Sequence, residues 1–505
     1  MNQTRQYPGA QHVVIVGGGT AGWMAAALIA RFRTPAQARV TLIESDAIGT
    51  IGVGEATVPL IQHLNSVLGL HEPDFVAATQ GSFKLGIEFV DWGRVGNRHF
   101  HGFGDYGADI DGVAPHHHWL RLRREGLDAP IGAWSMAWAA AGRDRFAPPQ
   151  AMKGPAAAFK HAYHFDAGLY AQLLRRHAEG KGVQRIEGRI AGVTRDGESG
   201  DVTTLVLDGD REVTGDLFVD CSGFASLLLG QALAVPFVDW SHWLPCDRAM
   251  AVGSRRAGRL TPFTRATARA AGWQWRIPLQ HRTGNGMVYA SSQISDDEAA
   301  ATLLAGLDGE ALGDPRPLRF TTGRRARFWE RNVIGIGLAA GFMEPLESTS
   351  IQLIQTGLAR LIELLPSGSA DPAIAAEYNR QTIGEYERIR DFLIAHYALS
   401  SRDEPLWRQC RAMALPDTLA HKLATWDACA RVPLYDLESH QEPSWVAILL
   451  GQERVPRGID ATADTADPQV LAKLFADRRA LLARAAESMP AHDLFVERTC
   501  RALAA

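Results

Sequence analysis

The stretch Val13–Val14–Ile15–Val16–Gly17–Gly18–Gly19–Thr20–Ala21–Gly22–Trp23 limits the possible folds of this chain more than any other. Four apolar, mostly β-branched residues read as a buried parallel strand. Gly17, Gly19 and Gly22 fit G-x-G-x-x-G: a tight turn, close backbone approach to a pyrophosphate, and close helix–strand packing. From Met24 to Phe32 follows an Ala-rich, apolar run of helical character, whose N-terminus aims free N–H groups and a positive dipole end at a phosphate; Thr20 and Ala21, just ahead of it, are expected at the cofactor. A second apolar strand, Val40–Thr41–Leu42–Ile43, ends in Glu44, about twenty residues past Gly22, where a ribose-binding carboxylate belongs. The glycines alone also suit an ordinary Gly-rich βα turn. With strand, helix and acid together, they predict a dinucleotide site.

Further along, Ile51 to Pro59 is a Gly- and Pro-containing loop suited to lie against a flat ligand, with contacts expected from Val53, Gly54, Glu55 and Ala56. Phe83 to Trp92 alternates like a strand, and Val95 to about Arg145 reads as an insertion that covers something. A polar meander from Val183 to Val213 precedes more strands. Val333 to Leu338 is again strand-then-glycine, placing Gly337 and Leu338 at the cofactor, and the chain is helical from Asp371. Only one dinucleotide fingerprint is present, so a flavin is accommodated and no second nicotinamide site is visible. The expected fold class is α/β: an FAD-binding, Rossmann-like core with a mixed sheet, plus a largely helical substrate-covering subdomain. We divide the chain at 1–94 and 151–370 for the core, and 95–150 and 371–505 for the cover.

A chain of 505 residues with a net charge near −4 and dispersed signs offers no basic patch for nucleic acid or an anionic membrane. The polar start Met1 to Gln6, the lack of long apolar runs and five scattered cysteines without CxxC spacing fit a cytoplasmic protein with reduced thiols. His116–His117–His118 is not expected to bind metal, because three adjacent imidazoles cannot point one way.

The pattern W-x-W-x-I-P at Trp273 to Pro278, the opening GGGTAGW, the VGEATVP loop and the EPLEST segment at Glu344 to Thr349 occur in one order. In these motifs the chain resembles the flavin-dependent tryptophan halogenase family, from about residue 12 to past 450. The resemblance implies that Trp273 and Trp275 wall off the flavin; from the residues alone, alternating tryptophans equally suit strand packing. Lys84 matches the family's active-site lysine in its K-x-G motif, against the alternative of an edge lysine that snorkels to water. If buried, its amine becomes a nucleophile or hydrogen-bond donor. Glu347 and Ser348 match the substrate-side glutamate and serine, although an acid ahead of a helix also complements its dipole. Thr349 and Ser350 open a helix whose amides suit a halide; the family commonly has glycine at the position of Ser350. His101 and Phe103 match residues that sandwich an indole ring, with packing inside the insertion as the plain alternative.

By resemblance, a separate NAD(P)H-dependent reductase supplies FADH2, and O2 and halide (chloride or bromide) yield hypohalous acid. The acid travels to Lys84 and halogenates an indole-type ring, while Glu347 stabilises or deprotonates the arenium ion. A flavin monooxygenase acting on an aromatic, or a non-catalytic flavoprotein, would share the nucleotide fold. One departure bears on substrate: where family members that take free tryptophan carry a Tyr-Tyr pair and a nearby Glu, this chain reads Gln441–Glu442–Pro443–Ser444–Trp445–Val446. Trp445 is expected to close the ring pocket, and the clamp for an amino-acid zwitterion is missing.

Overall fold

The computed structural model describes residues 10–47, 54–365 and 371–502; Val53 lies outside them. Strand β1 (Gln11–Val16) leads into helix α1 (Thr20–Phe32), and β2 (Ala38–Glu44) returns parallel to β1. Both faces of this sheet are covered, so β1 is apolar on both sides rather than alternating. On its other side β1 pairs in parallel with Leu217–Asp220, which pairs with Val333–Gly335. The strands that end in glycine turns therefore lie side by side, and their turns open at one end of the sheet. Gln184–Glu187, expected to begin the meander, instead extends this sheet parallel to β2; the rest of that stretch forms a separate three-stranded antiparallel sheet.

A second sheet of seven strands carries the W-x-W strand, Gly272–Pro278, at its centre. Phe83 to Trp92, expected as one strand, is broken at Leu85. Strand β3 (Ser82–Lys84) pairs with Ala162–Asp166 in a small three-stranded sheet, while β4 (Gly86–Val90) joins the large one. The break has a local cause: the Leu85 N–H donates to Pro262 O, and a Cβ at Gly86 would lie 2.3 Å from His101 O. Strand β5 (Arg98–Gly102) pairs antiparallel with β4 and forms the sheet edge. The stretch that follows, expected as an insertion, includes a helix over Pro115–Arg124.

Three later helices complete the surroundings: α2 (Thr349–Leu364), α3 (Pro372–Ala398) and α4 (Glu442–Gly451). Helix α4 packs on β5; a Cβ at Gly451 would meet the His99 ring at 2.4 Å. Among the described residues no helix is long and apolar enough to cross a membrane. Each of the histidines 116–118 has its own partner: His116 meets Ala430 O, His117 accepts from the Asp460 N–H, and His118 meets Ile110 O; the rings of His116 and His117 nevertheless lie together, with centres 4.2 Å apart, against the expectation that neighbouring imidazoles point apart.

Candidate active site

The break after β3 decides the environment of Lys84. Neutral imidazoles hold the strand. Ser82 Oγ donates to Pro278 O and faces His164 Nδ1 at 3.0 Å, and the Phe83 N–H donates to His492 Nε2. Burial pushes His164 well below the usual imidazole range and His492 down to about 4, which suits uncharged rings at these positions. Lys84 follows with its side chain wholly buried, not snorkelling at an edge. Its Nζ donates to Thr57 O at 3.0 Å and Ser348 Oγ at 2.7 Å, and lies 5.2 Å from the centre of the Phe103 ring. Burial pulls the ammonium down to about 7, with Glu347 opposing the shift. A proton can leave or return to this amine near neutral pH.

Ser348 closes the short turn Pro345–Glu347 in the left-handed region at φ 59°, an unusual state for a non-glycine residue and one found at functional sites. It precedes α2 but makes no side-chain cap: a capping side chain reaches the first-turn amides from extended backbone, and Ser348 is left-handed, with its hydroxyl accepting from Lys84. The first-turn amides, at Thr349 and Ser350, are therefore left without a side-chain cap. Glu347, one residue earlier, is buried with Oε2 2.9 Å from His101 Nδ1 and Oε1 2.9 Å from His396 Nε2. Burial alone would raise its carboxyl; His101 and then His396 outweigh burial and hold it well below the usual range.

Around this acid the structure gathers histidines that sequence reasoning missed. His396 comes from α3, and His440 stacks on Phe392 with ring centres 3.8 Å apart. His99 shares the inward face of β5 with His101 and stacks on Phe89. Burial drives His99 and His440 down to about 3. The only sequence signal for His396 is its spacing of four from Phe392 on a helix, which is generic. Trp445 is fully buried; its ring meets Phe392 edge-on at 4.8 Å and lies 4.3 Å from Lys422 Nζ. Lys422 is itself paired with Glu438, which accepts from Trp445 Nε1. A cavity of about 440 Å³ abuts this cluster at His99 and is lined by Glu88, Phe100, Trp119 and Trp138 among others, but neither Lys84 nor Glu347 lines it.

Trp273 and Trp275 share one face of their strand, ring centres 5.9 Å apart. Trp273 Nε1 donates to Glu344, which also accepts from the Tyr397 hydroxyl; burial raises that carboxyl to about 7. Glu344 was quoted in sequence only as part of a motif, yet it ties the tryptophan strand to the turn that carries Glu347.

The glycines form a cradle that fits a dinucleotide. A Cβ at Gly17 (φ 107°) would lie 2.3 Å from Cys221 O, and one at Gly22 would lie 1.8 Å from Gly17 O. At Gly19 a Cβ would meet nothing within 4 Å, so the backbone there faces open space in front of α1. Gly337, at φ 67°, sits against Ala21, with Leu338 following in the same short turn. Glu44 lies against Gly18 at the end of β2, where Arg185 and Trp23 donate to it. Gly54–Ala56 forms a short strand beside Ala162–Asp166, and burial raises Glu55 to about 7.

The chain matches the family described as tryptophan halogenase over residues 12–468. It is 35% identical over 501 residues to a tryptophan 6-halogenase of Streptomyces toxytricini, covering 92% of this chain and 93% of that one. Among solved structures, a flavin-dependent halogenase from Xanthomonas campestris is similar with a TM-score of 0.95 and 45% identity, covering 99% of this chain and 100% of the other. Another, from Brevundimonas sp. BAL3, gives a TM-score of 0.93 and 47% identity, covering 97% and 99%.

Proposed function

Because the chain belongs to the tryptophan halogenase family, we propose that it halogenates the ring of an indole-type substrate, using chloride or bromide, O2 and FAD reduced by a separate NAD(P)H-dependent flavin reductase. The observation that carries the reading is the buried Lys84, hydrogen-bonded to Ser348 beside Glu347. Gly17, Gly19, Thr20, Ala21 and Gly22 would hold the pyrophosphate, and Glu44 the ribose. Gly54, Glu55, Ala56, Gly337 and Leu338 would lie along the rest of the FAD, with Trp273 and Trp275 behind it. Val53 belongs to the same proposed loop. When bound, the reduced flavin supplies the electrons with which O2 and halide become hypohalous acid and water. Thr349 and Ser350 would place the halide at the uncapped start of α2. The domain division at 1–94, 95–150, 151–370 and 371–505 is proposed on the same grounds, with the cover keeping water from the oxidant.

At the substrate end, the Lys84 amine would hold hypohalous acid by hydrogen bonding or as a haloamine. The ring attacks the halogen; the C–halogen bond forms as the halogen's bond to oxygen or nitrogen breaks. Glu347, kept ionised by its imidazole partners, stabilises the cationic ring and accepts its proton. General-base help of this kind is worth roughly 10²–10⁴ in rate. His101 and Phe103 would bound the flat ring, with Trp445 packing behind Phe392. Of the side chains that could clamp a zwitterion, Arg454 forms a two-pronged pair with Asp427, and Lys422 is buried against Glu438. This supports a substrate without a free amino-acid group.

The test is mass spectrometry of products from reduced FAD, O2, bromide or chloride and a panel of indoles. A halogen isotope pattern on the arene is expected. Hydroxylated product, or unchanged arene despite flavin turnover, would overturn the reading.

A further inference from the structure

Glu347 meets two imidazoles at the same distance, 2.9 Å, but the two contacts require different numbers of protons. His101 can serve Oε2 as a neutral ring, donating from Nδ1. His396 cannot serve Oε1 in that way. Its Nδ1 lies 2.8 Å from the carbonyl oxygen of Phe392, one turn earlier on α3, and a carbonyl only accepts. The single proton of a neutral His396 is therefore committed to Phe392, leaving a lone pair at Nε2 with a carboxylate oxygen 2.9 Å away. Nε2 and Oε1 are both buried, and among the described residues neither makes a hydrogen bond, so what joins them is the close approach of the two groups. A proton on the ring turns that approach into an imidazolium–carboxylate ion pair. Without it, two acceptors face each other in a dry site, at a cost no native structure readily sustains.

We propose that His396 and Glu347 hold one bound proton in the resting protein, as imidazolium against carboxylate, making His396 the positioning residue that keeps Glu347 an ionised base inside the core. Between groups of ordinary basicity the proton resides on the imidazole, since imidazolium is the weaker acid by about two pH units. The surroundings are consistent. From β5, His99 faces the pair as a neutral ring and His101 donates to Oε2; His440 faces it, also neutral, from the loop before α4. Lys84 opposes Glu347 from β3, while the rings of Phe89, Trp92 and Phe392 enclose His396, and the one polar atom among those rings, Trp92 Nε1, donates to Ala266 O instead. The role assigned to Glu347 rests on the halogenation reading; the proton count of the pair does not.

Imidazole nitrogen NMR on the full chain labelled with [15N]histidine tests the count, with the His396 signals assigned by difference against His396→Asn and against Glu347→Gln. At pH 8, where an unpaired imidazole is almost wholly neutral, native His396 is expected to show two protonated nitrogens. In Glu347→Gln the counter-charge is gone, so the ring is expected to revert to the neutral form protonated at Nδ1. A neutral signal in the native protein, or an unchanged doubly protonated one in Glu347→Gln, overturns the proposal. This readout needs no turnover, so it is independent of whether the halogenation reading stands. If it does stand, His396→Asn should move the acid limb of kcat/KM upward by about 1–3 pH units, because the opposite charge that holds Glu347 ionised has been removed; an unmoved limb would overturn the positioning role.

Discussion

Lys84 Nζ donates to Ser348 Oγ at 2.7 Å, joining a strand near one end of the chain to a left-handed turn 264 residues later. That bond sets the amine beside Glu347. Lys84→Ala removes the donor and leaves the proposed halide site at Thr349 and Ser350 untouched. Arene halogenation should fall to background while free hypohalous acid still forms, read with a chlorination-sensitive dye. Normal halogenated product from the variant would refute the assignment.

The same lysine should mark stability against pH. Its folded pKa, pulled to about 7, is below the value near 10.4 of an unfolded lysine. Between those values the unfolded chain binds the extra proton, so this group's contribution to stability rises with pH from about 7 to about 10, with a limiting slope of about 1.4 kcal/mol per pH unit. Lys84→Met should flatten that slope in urea titrations at pH 7 to 9.5. Parallel curves for the two proteins would contradict a buried, neutral amine.

Two glycines should separate cofactor binding from folding. Gly22→Ala drives a methyl into Gly17 O, a backbone atom that cannot swing away, and is expected to lower Tm and FAD affinity together. Gly19→Ala meets open space and keeps an extended backbone, so Tm should hold. Yet its methyl intrudes on the proposed pyrophosphate approach, and FAD affinity should drop at least about tenfold, roughly 1.4 kcal/mol. Titrating FAD by fluorescence beside thermal melts reads both, and unchanged affinity in Gly19→Ala would dissociate the cradle from the cofactor.

With one nucleotide fingerprint, the purified chain should consume NADPH negligibly even when FAD is added. Turnover should appear when a flavin reductase or chemically reduced FAD is supplied. Rapid NADPH consumption by the chain alone, followed by absorbance, would argue for a self-reducing monooxygenase.

Indole, or an indole lacking the zwitterion, should give a higher kcat/KM than free tryptophan. A charged carboxylate and ammonium entering a partly dry site need hydrogen-bonded partners. Each missing charge-assisted bond costs about 1.5–3 kcal/mol, so two of them weaken binding by roughly a hundredfold or more. Arg454 and Lys422 are already paired with carboxylates, so neither cation is free to hold the carboxylate of tryptophan. A tenfold preference for tryptophan under the same halide and reductase would reverse the conclusion.

The sequence by itself determined the nucleotide half of this protein. A β-branched run, three spaced glycines and an acid at the end of the next strand are local features, and local sterics and hydrogen bonding suffice to read them: β1, α1 and β2 form where expected. The ordered motifs likewise singled out Lys84, Glu347 and Ser348. What only the tertiary structure decided is the protonation chemistry of the site. The amine is buried because the strand breaks at Leu85, where β4 must pair with β5, a constraint absent from the alternation of Phe83 to Trp92. His396 and His440 are as generic in sequence as the other histidines. They matter because α3 and the loop before α4 bring them against one carboxylate from the far end of the chain. Hydrogen-bond capacity and desolvation are properties of a neighbourhood in space, and no spacing along this chain encodes which atoms will share it.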